Sequence, residues 1–329
     1  MRTFRSRVRW PLRVFVSGSI LAYIVFDVDW NDLVRAITGV RVSLLALAAV
    51  IYLLGQALSA LKWSLLGRAI GFDRPLLDYL RFYFMGMFFN LFGPSTLGGD
   101  LVRSLYLSDG KRRGVSLHLT LFDRVSGLVV LMAMGAVAAL VFPRHDFPTA
   151  LLVGVVGAGF GLVIGWWLCP HVVRFLPARN LVRRHVEQDL APLWRDHRLL
   201  ARVVVVSGAF HLSQVAVQFV LARAAGIALP WSYLLVVHPL LSVMMALPLS
   251  IGGFGVREGG YLYFLTRIDV DDSIAVAMSL SWWAVTVVSA LLGGLLFAST
   301  GAHLPRLQAA GSTDAFVGPP QPTGDLPRV

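Results

Sequence analysis

Two stretches of the sequence, PSTLGGDLVR at residues 94–103 and PLSIGGFGVR at residues 248–257, are versions of one motif. The proline, both glycines, the valine and the arginine are identical in the two stretches. Proline ends an incoming helix, a glycine pair lets the backbone turn, and the outgoing helix begins with free N–H groups. Each copy therefore predicts a break in the middle of a longer helical segment.

The chain around these copies is mostly apolar: 57% of its 329 residues are hydrophobic and 14% are charged. A soluble protein carries nearer a quarter charged residues, so this composition predicts a chain surrounded by lipid. Six of its apolar segments approach the roughly 20 residues of a spanning helix, and the third and seventh are long and contain the motif. The eight segments are residues 14–28, 43–61, 82–107, 117–141, 149–168, 203–222, 231–266 and 273–298.

The basic residues distinguish two topologies. If all eight segments cross the membrane, 13 Lys and Arg residues lie inside and 15 outside. If the third and seventh instead enter and leave on one side, 22 lie in the cytoplasm, four of them in residues 62–81, and 6 lie outside. The positive-inside rule favours the second topology. We therefore predict an all-α, polytopic membrane helix bundle of six spanning helices and two re-entrant, broken hairpins, with both termini in the cytoplasm.

This topology gives the units that contain the two motifs opposite orientations. Such an inverted-topology repeat is typical of secondary transporters, whose sites lie where broken helices meet near the midplane. We therefore expect the two hairpins to face each other. The predicted organisation is a basic N-terminus at 1–13, a transmembrane domain at 14–298 with repeat A at 43–141, a linker at 142–202 and repeat B at 203–298, and a disordered cytoplasmic tail at 299–329.

Several function classes are disfavoured by composition. The single cysteine, Cys169, allows no disulfide within one chain. The basic residues that give the net charge of +11 lie between apolar segments, so they indicate membrane topology rather than nucleic-acid binding. Asp269, Asp271 and Asp272 precede the last helix and are interpreted as helix-start residues. We expect no metal, no cofactor and no catalytic residue.

The motif itself predicts an anion site. A helix N-terminus carries partial positive charge that suits a phosphate, and Arg103 and Arg257 lie about one turn further on. Asp123 and Arg124 lie inside a spanning segment, where ionisable groups usually face a cavity or a partner. Either Arg124 contacts a lipid phosphate or Asp123 pairs with Arg103 in the site, or the charges form a structural ion pair that holds the hairpin in place. The candidate substrate-binding residues are Asn90, Gly98, Gly99, Asp100, Arg103, Asp123, Arg124, Gly252, Gly253, Arg257 and Glu258.

Two polar stripes occupy matched positions in the repeats. Ser207, His211, Gln214 and Gln218 share one helix face, and Tyr52, Gln56, Ser59 and Trp63 have the same spacing. The stripes predict either a polar path, with Gln56, His211, Gln214 and Gln218 as candidates, or hydrogen bonding between helices. Gly157, Gly161 and Gly165 recur every fourth residue and predict close helix packing.

At these residues the chain resembles the lysylphosphatidylglycerol synthase transmembrane, or flippase-like, family. The resemblance is carried by residues 90–103, by Asp123-Arg124 with Gly127, and by residues 248–258, and it covers about residues 10–300. The family includes the flippase part of multiple peptide resistance factors, which moves lysyl-phosphatidylglycerol outward, and members linked to hopanoid or glycolipid metabolism. The resemblance implies lipid translocation without fixing the lipid. Together with the anion site of the motif, it predicts translocation of a polar, anionic or zwitterionic lipid whose headgroup is held between the opposed re-entrant hairpins. Those factors also carry a soluble aminoacyl-transferase domain, which residues 299–329 do not resemble, so we do not expect synthesis of aminoacyl lipids.

Two alternatives stay open: an integral-membrane enzyme that modifies lipids, and a non-transporting scaffold of a lipid-synthesis complex. The enzyme needs a nucleophile with a base, or a metal-binding carboxylate cluster, and neither is evident. The scaffold is favoured by the arginine-rich residues 170–202, which suit a partner or anionic lipid at the cytoplasmic face. The expected partners are a lipid substrate, anionic lipids, and a lipid-synthesis enzyme or a second copy of the chain, and the expected location is the bacterial inner membrane.

Overall fold

The computed structural model describes residues 29–92, 97–108, 112–142, 147–177, 180–246 and 255–300. Within these ranges the chain is helical and contains no strand, which confirms the predicted all-α class. The first apolar segment, the tail beyond residue 300, and the two hairpin tips at residues 93–96 and 247–254 lie outside the described ranges.

The described ranges contain twelve α-helices. They are α1 (Trp30–Thr38), α2 (Val42–Ala69), α3 (Leu76–Phe92), α4 (Leu97–Ser108), α5 (Arg113–Val141), α6 (Thr149–Val172), α7 (Leu181–His185), α8 (Ala191–Arg195), α9 (His197–Ala224), α10 (Trp231–Ala246), α11 (Val256–Leu265) and α12 (Asp272–Ser299). A π-helical turn, Val186–Leu190, joins α7 to α8.

Five helices, α2, α5, α6, α9 and α12, are long and apolar enough to cross a membrane. α6 continues through a 3₁₀ turn to Phe175 in this count. Each of the five falls on one of the segments that the sequence predicts to span, and the sixth of those segments lies outside the described residues. The chain is a multi-pass membrane protein.

The first helices of the two repeats, α2 and α9, form an extensive antiparallel pair at the centre of the bundle. At one end the Arg41 amide donates to the Ala224 carbonyl at 3.1 Å. Further along, Gly55 packs against Ser213 and Gln214, leaving no room for a Cβ atom. Sequence numbers therefore rise along α2 as they fall along α9, so these two helices run in opposite directions.

Each broken segment folds as an antiparallel helical hairpin. In hairpin A, formed by α3 and α4, Phe82 stacks on Tyr106 with ring centroids 5.4 Å apart, and Gly86 contacts Gly99 backbone to backbone. In hairpin B, formed by α10 and α11, the Tyr233 hydroxyl donates to the Phe264 carbonyl. The longest of the four helices, α3, has 17 residues and measures only about 25 Å.

The first helix of each hairpin packs on the last helix of the other repeat. The first helix of hairpin A, α3, packs on α12 of repeat B, where Gly293 lies directly against the Phe84 carbonyl. The first helix of hairpin B, α10, packs on α5 of repeat A, where Gly135 lies against Pro239. The second helices, α4 and α11, pack on the last helices of their own repeats. The same contacts thus occur twice.

Two expectations about individual residues are wrong. Gly157, Gly161 and Gly165 are exposed and face open space within the chain, and it is Gly159 that packs on Met132 and Ala136 of α5. α2 continues eight residues beyond the predicted end of its apolar segment, so Lys62 lies buried inside the helix rather than in a cytoplasmic connection.

Candidate functional site

The start of α4 is fixed by a side chain from α3. The carboxamide oxygen of Asn90 accepts a hydrogen bond from the Gly99 amide at 2.7 Å, so one of the free N–H groups at this helix start has a partner within the protein. Gly99 has no Cβ atom, which permits the close approach of the two backbones. This arrangement places Asp100 and Arg103 in the buried space between α2, α3 and α5.

Arg103 is 4% exposed and is held by two carboxylates. Its Nη2 atom lies 3.1 Å from an oxygen of Asp100 and 3.1 Å from an oxygen of Asp123 on α5. Its guanidinium also lies 5.0 Å from the ring centroids of both Trp63 and Tyr83, a cation–π arrangement. The Nε and Nη1 atoms have no hydrogen-bond acceptor among the described residues. Arg103 therefore keeps donors available in a buried position.

Two further cations complete this group. Lys62 Nζ lies 2.9 Å from a carboxylate oxygen of Asp123 and 2.8 Å from its carbonyl oxygen. Arg124 pairs with Asp100, and about a third of its side chain is exposed. Asp123 and Arg124 point in different directions from α5, yet both reach residues of α4. We call Lys62, Asp100, Arg103, Asp123 and Arg124 the Arg103 cluster; with three cations and two carboxylates it carries a formal charge of +1.

The equivalent arginine of hairpin B has a different environment. Arg257 contacts the neighbouring Glu258 at 2.5 and 3.1 Å, and Ser279 of α12 lies 3.2 Å from both side chains. The second carboxylate oxygen of Glu258 accepts from the Gly255 amide at 2.7 Å and so caps α11. The structure thus brings Arg257 and Glu258 together as a buried pair, and this pair is formally neutral. We call Arg257, Glu258 and Ser279 the Arg257 cluster.

The polar stripes of α2 and α9 are buried inside the bundle. His211 Nε2 donates to the Gly127 carbonyl at 3.0 Å, one turn beyond Asp123 on α5. Its ring lies 5.9 Å from that of His238 on α10, whose Nδ1 accepts from Gln218 at 2.9 Å. Gln56 and Gln214 are also buried, at 7% and 4% exposure. Lys62 Nζ approaches Gly127 as well, so these polar residues continue from the Arg103 cluster.

The sequence did not identify two residues of this region. The fall in hydropathy near residue 61 predicts that Lys62 lies outside the membrane, but the helix continues through Lys62 to Ala69. His238, next to Pro239 in the middle of α10, could have been found from the sequence. A histidine in an apolar segment is costly and therefore indicates a functional or structural role. Of the predicted site residues, Gly252 and Gly253 lie outside the described residues.

An open cleft of about 960 Å³ lies at the far end of the bundle, where α1, the end of α9 and the start of α12 meet. It is lined by Asp29, Asp32 and Asp269, among others. Asp29 is occupied in capping α1, and Asp32 pairs with Arg35. The cleft lies at the opposite end of α2 from Lys62, so the buried charges and this surface cleft are separate features.

The fold and this site define a class of protein: a polytopic helical membrane protein with two interlocked hairpins and buried, hairpin-borne charges. Residues 10–294 match the family described as the lysylphosphatidylglycerol synthase TM region, and the chain belongs to that family. This confirms the resemblance seen in the sequence. A comparison with curated proteins gives no significant match.

Proposed function

We propose that this protein moves a polar lipid, anionic or zwitterionic, between the leaflets of a bacterial inner membrane, and that the Arg103 cluster binds the phosphate of its headgroup. The observation that carries the proposal is the combination of a formal charge of +1 with unused donors on Arg103. The four buried members are formally neutral together, and the surplus charge lies on the partly exposed Arg124, where an incoming anion would meet it. A phosphate supplies that anion and accepts bidentate hydrogen bonds from a guanidinium.

Arg124 is the residue that the lipid headgroup meets first. It is the partly exposed member of the cluster and is linked through Asp100 to the buried Arg103. A headgroup that meets Arg124 at the protein–lipid boundary can pass to Arg103 while its acyl chains stay in the lipid. The buried stripe from Ser207 to Gln218 then offers polar partners over about 16 Å of α9.

The proposed topology is the inverted repeat with re-entrant hairpins. Helices of hairpin A and hairpin B are too short for a hydrocarbon core of about 30 Å, and each hairpin returns to the side from which it starts. When the buried Lys62, Arg103 and Arg257 are left out of the charge count, 20 basic residues remain on the proposed cytoplasmic side against 5 outside. The antiparallel α2–α9 pair supports opposed repeats that rock against each other to give alternating access.

The proposal is tested with the full chain in vesicles that contain tail-labelled phosphatidylglycerol, lysyl-phosphatidylglycerol or phosphatidylethanolamine. The wild-type protein should expose label from the inner leaflet faster than empty vesicles do. Arg103→Gln should slow this movement roughly 10- to 100-fold, since a charged hydrogen bond contributes about 1.5–3 kcal/mol. The variant should still fold, because two cations and two carboxylates remain in the cluster.

Arg35→Gln is the matched control, since Arg35 forms an exposed pair with Asp32 and should leave the rate unchanged. If Arg103→Gln moved lipid at the wild-type rate, the assignment of the headgroup site would be wrong. If folded wild-type protein moved none of the three lipids, the transport proposal would fail. A chemically altered lipid in the extract would favour the enzyme alternative instead.

A further inference from the structure

A second polar cluster lies away from the hairpins, at the foot of α5. His118, in the second turn of that helix, meets His185 at the end of α7 and Asp189 in the π-helical turn. The Nδ1 atom of His118 is 2.9 Å from Asp189 Oδ2, and the Nδ1 atom of His185 is 3.2 Å from the same oxygen. The two imidazole rings are 3.9 Å apart. Three metal-ligating side chains therefore converge from two separate parts of the chain.

The spacing of the three ligand atoms is that of a metal site. In a tetrahedral zinc site, N and O ligands bind at about 2.0–2.1 Å, which places neighbouring ligand atoms about 3.3–3.4 Å apart. The separations of 2.9 and 3.2 Å are somewhat shorter than this value, and all three ligand atoms lie within 4.8 Å of one another. Two imidazole nitrogens and one carboxylate oxygen are a donor set that suits a first-row divalent cation.

The backbone supports this convergence independently of the ligands. The π-helical turn Val186–Leu190 follows His185 directly, and such turns occur often at functional sites. Phe122, one turn after His118 on α5, packs against Trp194 with ring centroids 4.8 Å apart. Leu193 is fully buried in the same contact region. The segment is thus anchored on the face of α5 that presents His118.

One nearby cation, Arg183, is engaged with other groups. Arg183 donates to Glu187 at 3.1 Å and to the carbonyl oxygens of Arg174 and Leu176 at 3.0 and 2.9 Å. The side chains of His118, Asp189 and His185 are 20%, 22% and 38% exposed, so an ion can reach them from solvent.

We propose that His118, His185 and Asp189 form a binding site for a divalent transition metal such as Zn²⁺, with water as the remaining ligand. The metal would link residues 181–195 to the N-terminal part of α5, which precedes the buried part of that helix that carries Asp123. The site would be separate from the lipid-binding cluster, and its existence does not depend on the lipid proposal.

The test uses the full chain in nanodiscs after removal of metals by a chelator. Titration with Zn²⁺ should show one bound ion per chain, Co²⁺ should give the visible absorption of a four-coordinate site, and Mg²⁺ should bind negligibly because it prefers oxygen ligands. His118→Ala, His185→Ala and Asp189→Asn should each weaken Zn²⁺ binding by more than about tenfold. His197→Ala, at an exposed histidine close by, is the matched control and should bind as the wild type does.

A second readout follows the segment directly. Zn²⁺ should slow trypsin cleavage after Arg183 and Arg184 in the wild type and have no effect on cleavage in Asp189→Asn. If an alanine variant does not fold, His118→Gln and Asp189→Asn, which nearly preserve side-chain size, replace it. Absence of stoichiometric Zn²⁺ binding by the wild type, or equal binding by the wild type and Asp189→Asn, would overturn the proposal.

Discussion

The Arg103 cluster and the Arg257 cluster contain the same arginine of the same motif, in hairpins that pack alike. Arg103 reaches across to α5, and its carboxylate partner Asp123 is shared with Lys62 of α2. Arg257 takes its carboxylate from the adjacent residue, Glu258. The first cluster ties three helices together and carries surplus positive charge, whereas the second is local and neutral.

This difference shows what a repeated motif determines and what it leaves free. In both hairpins the arginine of the motif lies buried in the helix that follows the predicted break. The counter-ions come from positions outside the identical residues, so each hairpin acquires its own electrostatics. The fold therefore combines a hairpin whose arginine has unused donors with one whose arginine pairs with the adjacent Glu258, which favours hairpin A as the binding element.

The largest expected effect comes from removing one cation from each cluster. Arg257→Met leaves Glu258 buried without a cation, which typically costs about 3–5 kcal/mol. Lys62→Met leaves two cations and two carboxylates in the Arg103 cluster, so its cost should be about 1 kcal/mol, since a methionine of similar length fills the space. The measurement is the free energy of unfolding by SDS titration in mixed micelles. Equal destabilisation by the two substitutions would refute the proposed charge imbalance.

A smaller effect is expected from the glycines that bring each hairpin together. In hairpin A an added Cβ at Gly99 would collide with the backbone of Gly86, whereas in hairpin B an added Cβ at Gly260 would meet the movable end of Leu241. Gly99→Ala should therefore cost about 1–3 kcal/mol, as overpacking does. Gly260→Ala should stay within about 1 kcal/mol of the wild type because alanine favours the helix. Thermal unfolding in detergent would rank the two variants. The reverse order would show that Gly99 does not lie against the backbone of Gly86.

The smallest expected effect concerns helix capping. Asn90 caps α4 from the neighbouring helix, while Glu258 caps α11 from within it. Asn90→Ala should cost about 1 kcal/mol and speed hydrogen exchange in the first turn of α4, and Asn90→Asp should retain protection. Unchanged exchange in Asn90→Ala would mean that the helix start is held by other groups.

Much of the fold was accessible from the sequence because its main signals are local. The proline–glycine breaks, the lengths of the apolar segments and the four-residue spacing of Gln214 and Gln218 predicted where helices lie and which faces are polar. The end of α2 could not be predicted from the sequence, because a helix covered by protein can continue through Lys62 after hydropathy falls. The packing glycine was also misassigned: the regular series at Gly157, Gly161 and Gly165 stood out, while the solitary Gly159 makes the contact.

The site was accessible only in part. The motif and the intramembrane pair singled out Arg103, Asp123 and Arg124, and the pairing of Asp123 with Arg103 was one of two readings of the sequence. The link between Lys62 and Asp123 joins residues 61 positions apart, and the link between His118 and Asp189 spans 71. Such pairings depend on how helices pack, and no spacing rule in one sequence reveals them. The roles of the candidate residues remain predictions to be tested by the substitutions above.

The α2–α9 pair has a consequence for biogenesis. α2 packs on α9, and the facing residues of α9 lie about 155 positions later in the chain, as Gly55 and Ser213 illustrate. At translation rates of about 5–20 residues per second, α9 emerges roughly 8–30 s after α2. During that interval the face of α2 around Gly55 lacks its final neighbours, Ser213 and Gln214, whereas Lys62 can already meet Asp123 of α5. Truncation before α9 should therefore leave repeat A open to quality-control proteolysis, even though every helix of that repeat has been made.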